Sequence, residues 1–406
     1  MNNKIRAIVS AFALPPRMTT TRFRSRVDVC FLALALASAS LPAAAAPFAY
    51  TANSNGNSVS VIDTESKAVV ATVAVGYSPQ EVAIKPDGTR VYVSNANSND
   101  VSVIDAASNT VVATIPVGYS PQDIAVSPNG LRVYVATFFG PGVWVIDTTS
   151  NTVVATIALP YGARGIAVAP DGQRFYVTNN YTNDVTVIDT ASNTIVATVQ
   201  VGYTPQSVAV NGDSALVYVT NSGSNDVSVI DAASNTVIAT VVGVGYNPQD
   251  VSFSPDGARA YVASFYGAGV WVIDAQVHTV ISSFSMAFGV RGVAVSADGS
   301  TLYVTNTYLN DVSVVDAVNG ALAASIPVGY APAGIAISES PKLTDKSQCM
   351  KSGWQAFGFY NQGACVSFVT SGKVVTHKNQ CKNGSWQDLG FKNQGACISF
   401  VNRQNR

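Results

Sequence analysis

Histidine is nearly absent from this chain, with two in 406 residues, and only His278 falls within its repetitive body. Because imidazole does much of the acid–base and metal-binding work near neutral pH, its scarcity argues against a histidine-dependent enzyme. His278 falls in a turn ahead of an outer strand, where exposure is expected. No C-x-x-C-H segment marks a covalent haem, and no Ser, Cys or Lys sits in a recognisable nucleophile motif. Beyond the N-terminus no apolar run reaches membrane length. Charged residues are only 12% of the chain. These absences leave no cofactor and no metal expected. What the chain has instead is Gly, Asn, Ser, Thr and Val, the residues of short strands and tight turns.

Those residues are arranged periodically. Cut at a tyrosine-bearing strand, repeats begin at Ala49, Val91, Val133, Phe175, Val217, Ala260 and Leu302, 42 residues apart and 43 in the fifth. Each holds four runs rich in Val, Ile, Thr and Tyr, as in VYVSN, DVSVIDA, TVVATIPV and QDIAVS. Turn chemistry separates them: in the typical unit Pro128 presets φ and Gly130 supplies a positive one. Four antiparallel strands in seven copies predict an all-β fold, a seven-bladed β-propeller of four-stranded antiparallel blades. A small disulfide-stabilised tandem module is expected to follow it. The body starts on a second strand and ends on a lone inner strand, Ala333–Ser338. That last strand is therefore predicted to complete the sheet begun by the first three, removing two exposed edges.

The strings YVTN (Tyr176–Asn179, Tyr218–Asn221, Tyr303–Asn306), SNDVSVIDAASNT and VGYSPQD resemble the YVTN-type β-propeller repeat of exported and surface-layer proteins. The resemblance spans about 49–340 and implies that fold and an extracytoplasmic setting. It implies little about activity, since propellers host unrelated functions. Exported propellers resembling this one include lactonase-type hydrolases, a histidine-dependent lyase and haem-binding reductases.

Seven aspartates, Asp63, Asp105, Asp147, Asp189, Asp231, Asp274 and Asp316, close the third strand of each repeat. An aspartate opening a D-x-x-S-N turn bonds its own backbone, and carboxylates spread one per blade do not converge on a cation. The Asn-Asp pairs, such as Asn99-Asp100, read the same way.

The third and sixth repeats break the pattern. Their Asn/Asp loop becomes Phe138-Phe139-Gly140-Pro141-Gly142 and Phe265-Tyr266-Gly267-Ala268-Gly269, followed by Trp144 and Trp271. The usual S-P-Q-D becomes G-A-R-G and G-V-R-G, bringing Arg164 and Arg291. Both altered loops lie at one end of a blade, and the two clusters nearly oppose each other across the channel mouth. Aromatic planes beside a guanidinium suit sugars, aromatic ligands or carboxylates. The candidate ligand site is thus Phe138, Phe139, Trp144, Arg164, Phe265, Tyr266, Trp271 and Arg291. Packing between blades is the competing account of the same residues. Tyr77/Gln80, Tyr119/Gln122, Tyr203/Gln206 and Tyr246/Gln249 add similar groups to the same face.

The ends differ from the body. Arg22, Arg24 and Arg26, an apolar run from Val29 to Leu41 and Ala43-Ala44-Ala45-Ala46 read as a signal peptide over 1–45, with Met18 a candidate start. The propeller takes 46–340, a linker 341–347, and two Cys-pair copies 348–406. The copies begin at Gln348 and Gln380 and carry Cys349/Cys365 and Cys381/Cys397. Four cysteines allow three pairings, and the duplication favours one bridge per copy. The copies resemble a small duplicated Cys–Trp–Gln module found at the ends of some exported bacterial proteins. From Pro47 to Ser340 eight Lys and Arg face 21 Asp and Glu, while Pro341 to Arg406 has nine against two. The acidic body excludes nucleic acid as its partner, and the basic tail suits an anionic one.

The sequence thus points to a secreted or periplasmic binding or surface-interaction protein without a transmembrane anchor. Its partner would be a glycan, an envelope polymer or a protein. The alternative is an extracytoplasmic enzyme of lactonase or lyase type. Carboxylates clustered with His or Arg at the channel mouth would favour the enzyme, and an aromatic or uncharged rim would favour binding.

Overall fold

A computed structural model describes residues 47–159, 162–267, 269–338, 392 and 396–397. The expected signal peptide, linker and most of the expected tandem module lie outside these residues. In the tail, Cys397 is buried and disulfide-bonded; Cys349, Cys365 and Cys381 are outside the described set.

Residues 47–338 form seven four-stranded antiparallel sheets, the predicted propeller. Blade 2 is typical: inner strand Pro79–Ile84, second Arg90–Asn95, third Asp100–Asp105 and outer Thr110–Pro116. Burial follows radial position. The second and third strands are buried on both faces, whereas the outer strand alternates between exposed and half-buried residues, as a peripheral strand with one wet face must. Between neighbouring blades lie apolar layers of Val, Ile and one tyrosine per blade. One such layer joins Tyr92, Val101, Val103 and Ile115 of blade 2 to Ile124, Val133, Val135 and Ile146 of blade 3. Each fully buried side chain of this size contributes roughly 1.5–3 kcal/mol.

The first sheet closes the ring. Its inner strand is Pro332–Ile337, paired antiparallel with Phe48–Asn53 in the register Ala49↔Ile337 and Thr51↔Ile335. Phe48 N donates to Ser338 Oγ at 2.8 Å, and Ser338 N returns a bond to Phe48 O at 2.7 Å. The last strand therefore sits where the repeat register predicted.

The repeated aspartates are turn formers. Asp105 Oδ1 accepts from the amides of Ala107 and Ser108 at 3.1 and 2.9 Å and from the Ser108 hydroxyl at 2.9 Å. These bonds hold its carboxyl below the ordinary range. Asn109 closes the same turn with a φ of 53°, a left-handed conformation that asparagine tolerates. His278 takes the equivalent position in blade 6, with φ 55°. It is half-buried rather than exposed, because its Nδ1 meets Tyr218 Oη of the preceding blade at 2.8 Å.

Candidate functional site at the channel mouth

Each inner strand enters from the loop that follows an outer strand, and its ladder is broken near its start. In blade 2 the register shifts between Pro79 and Glu81, and in blade 4 between Ala163 and Ile166. A bulge of this kind frees residues from pairing and re-aims their side chains. Here it delivers two residues per blade toward the axis, and all of them except Gly165 line one cavity of about 60 Å³. The first of each pair runs Gln80, Gln122, Arg164, Gln206, Gln249, Arg291 and Ala333. The second runs Glu81, Asp123, Gly165, Ser207, Asp250, Gly292 and Gly334. The volume is room for roughly four waters.

Three carboxyls and two guanidiniums thus share a small space. Asp123 Oδ2 accepts from Ile166 N of the next blade at 2.9 Å and Oδ1 from Ile124 N at 2.7 Å. Asp250 repeats the arrangement, accepting from Val293 N at 2.9 Å and Val251 N at 2.8 Å, with the Ser207 hydroxyl at 2.9 Å. The bulges at Arg164-Gly165 and Arg291-Gly292 create the amides that these aspartates satisfy. Glu81 has no such neighbour in blade 3. Its carboxylate fills the hollow above Gly334, where an added Cβ would stand 2.0 Å from Oε1.

The guanidiniums differ. Arg291 reaches across blade 1, whose Ala333 and Gly334 leave it a passage, and donates to Gln80 Oε1 at 2.6 Å. Arg164 feels the charge of Asp123 and of Arg291 but makes no hydrogen bond among the described residues. The contact ion pairs there, Lys85–Asp87, Arg90–Asp105 and Arg132–Asp147, all lie away from the mouth. Gln206, on the strand beside Arg164, gives its amide nitrogen to Ser222 Oγ at 2.9 Å. Its Oε1 is buried without a partner.

Although half-buried by surface, these groups are walled in by seven strands, and dehydration dominates their titration. Burial pushes Asp123 up to about 7, against bonds from Ile166 and Ile124 that favour the anion. Glu81 is raised well above the usual carboxylate range by burial and then by the charges of Asp123 and Asp250. Burial also raises Asp250. The same dehydration lowers Arg164 to about 10, helped by Arg291.

Aromatic side chains surround this mouth. The loops leading into the inner strands expose Tyr77, Tyr119, Tyr203, Tyr246, Phe288 and Tyr330, Tyr119 at 69%. The loops between second and third strands add Phe139, Tyr181, Tyr266 and Tyr308. Phe138 packs on Phe139 and Tyr181 with centroids 4.9 and 5.1 Å apart. Phe265 does the same with Tyr266 and Tyr308 at 5.0 and 5.3 Å. Gly162 lies under Tyr181, with φ 97° and no room for a Cβ, which would approach the ring to 2.8 Å. Arg164 follows two residues later.

The sequence-predicted residues therefore separate into three places. Phe138, Phe139, Phe265 and Tyr266 stand in two aromatic clusters on the rim. Arg164 and Arg291 enter the channel, on the inner strands of blades 4 and 7, while the aromatics beside them in sequence belong to blades 3 and 6. A repeat cut at the tyrosine strand is offset by one strand from the blade, so one repeat spans two sheets. Trp144 and Trp271 are half-buried in the interblade layers, each indole nitrogen against the glycine of an adjacent loop, Gly118 or Gly245. They fill the slot that other blades give to an Asn–Ser pair such as Asn95 Nδ2 to Ser102 Oγ, 2.9 Å. Sequence reading missed Glu81, Asp123, Asp250, Tyr181 and Tyr308. The available signal was order: Asp123 precedes Arg164 by one repeat, as Asp250 precedes Arg291.

No protein-family model matches the chain, and no curated protein matches it in sequence. Solved structures resemble it in fold. Hydrazine synthase of Kuenenia stuttgartiensis aligns at 24% identity and TM-score 0.61 over 68% of this chain and 94% of its own. A functionally unknown protein from Desulfotomaculum acetoxidans DSM 771 aligns at 20% and 0.65, over 72% and 98%. Dihydro-heme d1 dehydrogenase NirN, in complex with DHE, aligns at 17% and 0.56, over 71% and 74%. All three share the propeller, and at these identities the likeness extends to the fold alone.

Proposed function

We propose that this chain is an exported YVTN-type propeller that binds a glycan-bearing extracytoplasmic ligand on the face around the channel mouth. The carrying observation is the encirclement of one charged mouth by exposed aromatic rings from nearly every described loop at that end. Sugar rings stack on aromatic faces, and buried Arg and Gln groups fix orientation. Phe138, Phe139, Phe265, Tyr266, Arg164 and Arg291 are the contact residues, with Trp144 and Trp271 as supports from the layer beneath. The basic, apolar and small-residue pattern over 1–45 supports a location in the periplasm or outside the cell. The basic tandem module, with one bridge per copy, provides a second contact for an anionic envelope polymer.

The test is a glycan array probed with the full chain and with Phe139→Ala/Tyr266→Ala. Binding to a glycan class that the double variant loses supports the assignment. No glycan bound by the wild type, or an unchanged profile in the variant, refutes it.

One observation favours a second reading, an enzyme of lactonase or lyase type. A carboxyl held near 7 beside a guanidinium is suited to acid–base work at neutral pH. Lactone hydrolysis by the wild type, lost in Asp123→Asn, would establish that reading in place of simple binding.

A further inference from the structure

We infer that the channel mouth is built to receive a hydroxycarboxylate group, its hydroxyl α or β to the acid, with the carboxylate on Arg164 and the hydroxyl on Gln206 Oε1. The inference rests on the reading of this face as a ligand-binding surface and names the chemistry at its centre.

Two polar groups on neighbouring inner strands carry the argument. Arg164 presents up to five N–H donors, and none has a partner among the described residues. Gln206 Oε1 is a buried acceptor without a partner. A buried acceptor left unmade is costly, and such a group in a native structure calls for a missing partner. A planar carboxylate is the complement of a guanidinium fork. An oxygen acceptor on the neighbouring strand of the same cavity calls for a donor, which a bare carboxylate lacks and a nearby hydroxyl supplies. The two guanidiniums are not equivalent in this respect, because Arg291 is already held by Gln80 Oε1 at 2.6 Å. The 60 Å³ cavity admits a group of about five heavy atoms. A free hydroxy acid fits that description, and so does the acidic edge of a uronic acid, whose α-carbon carries the ring oxygen and whose nearest hydroxyl is on the β-carbon, with the ring among the rim aromatics.

The objection is charge. Glu81, Asp123 and Asp250 outnumber Arg164 and Arg291, and the other inner-strand residues at the mouth, Gln, Ser, Gly and Ala, do not titrate. Fully ionised, the mouth would repel an anion. Burial and mutual repulsion instead hold Glu81 and Asp123 toward their neutral forms. Binding an anion favours protonated carboxyls, so affinity rises as pH falls through about 7.

The experiment is isothermal titration calorimetry of the full chain with glycolate, acetate, glucuronic acid and glucose at pH 6 and pH 8. Glycolate is expected to bind about tenfold more tightly than acetate, and more tightly at pH 6 than at pH 8. Glucuronic acid binding above glucose assigns the acid to a glycan, whereas glycolate alone assigns it to a free acid; either supports the site. Arg164→Gln should abolish binding of both acids. Gln206→Met should leave acetate unchanged and erase the preference for glycolate, a result that misfolding would not produce. Equal affinity for glycolate and acetate, no binding of either, or unchanged affinities in both variants overturns the inference. If neutral glycans bind the rim and the acids do not, only this inference fails. If the acids bind and no glycan does, the glycan-binding assignment fails instead.

Discussion

Replacing Asp123 by Asn should make stability depend on pH in a way that isolates the mouth. In the folded wild type this carboxyl titrates at about 7 against an ordinary 3.8. At about 1.4 kcal/mol for each tenfold change in proton affinity, ionising it in place costs about 4 kcal/mol. A raised carboxyl favours the protonated fold, so the penalty is absent below about pH 4, grows between 4 and 7, and is complete above 7. Asparagine never ionises and carries no such penalty. It offers one oxygen where Ile124 N and Ile166 N need two acceptors, a fixed cost of about 1–3 kcal/mol. Near pH 4.5 the wild-type penalty has fallen to about 1 kcal/mol. Whatever the fixed cost, the variant should gain about 3 kcal/mol on the wild type between pH 4.5 and pH 8. At roughly 2 °C per kcal/mol for a domain this large, that is about 6 °C of relative Tm. The turn aspartates, whose carboxyls are lowered, lose their bonds in acid equally in both proteins and cancel. Paired thermal melts by circular dichroism at the two pH values read the difference. An offset in Tm that is the same at both would refute a dehydrated, proton-holding Asp123.

Two further outcomes test the surrounding frame. Gly334→Ala places a methyl 2.0 Å from Glu81 Oε1 and should cost about 1–3 kcal/mol, most of it recovered in the double variant with Glu81→Ala; additive losses in urea titrations would refute the pairing. Ending the body before Pro332 removes the strand paired with Phe48–Asn53 and should lower Tm by more than 10 °C, a loss that limited proteolysis would report as cleavage in blades 1 and 7.

Why some of this was legible in the chain and some was not follows from where the information lies. Strand number, blade order and ring closure depend on local chemistry repeated seven times, such as Pro128 with Gly130 and the turn at Asp105, and repetition averages out local ambiguity. Arg164 and Arg291 were visible because they interrupt a repeat. Asp123 and Asp250 were not, because they sit in unbroken S-P-Q-D and N-P-Q-D loops. Their importance arises only when seven inner strands converge and bring them against amides a blade away. Trp144 and Trp271 look like ligand rings in one dimension, yet each is half-buried beneath a neighbouring loop, a fact that depends on the interblade gap. The half-burial of His278 has the same origin, since its partner Tyr218 lies 60 residues earlier.

The closing strand has a consequence for the order of events in the cell. Ala333 and Gly334 give Arg291 its passage to Gln80 and Glu81 its hollow, and they are among the last body residues to leave the ribosome. Blades 2 to 6 can be fully synthesised while the mouth still lacks one wall. Vectorial synthesis therefore completes the channel mouth last, and a chain cut short in translation presents an open crescent whose mouth lacks a wall. Completion of the ring and closure of the mouth become a single step, and both rest on the closing strand Pro332–Ile337.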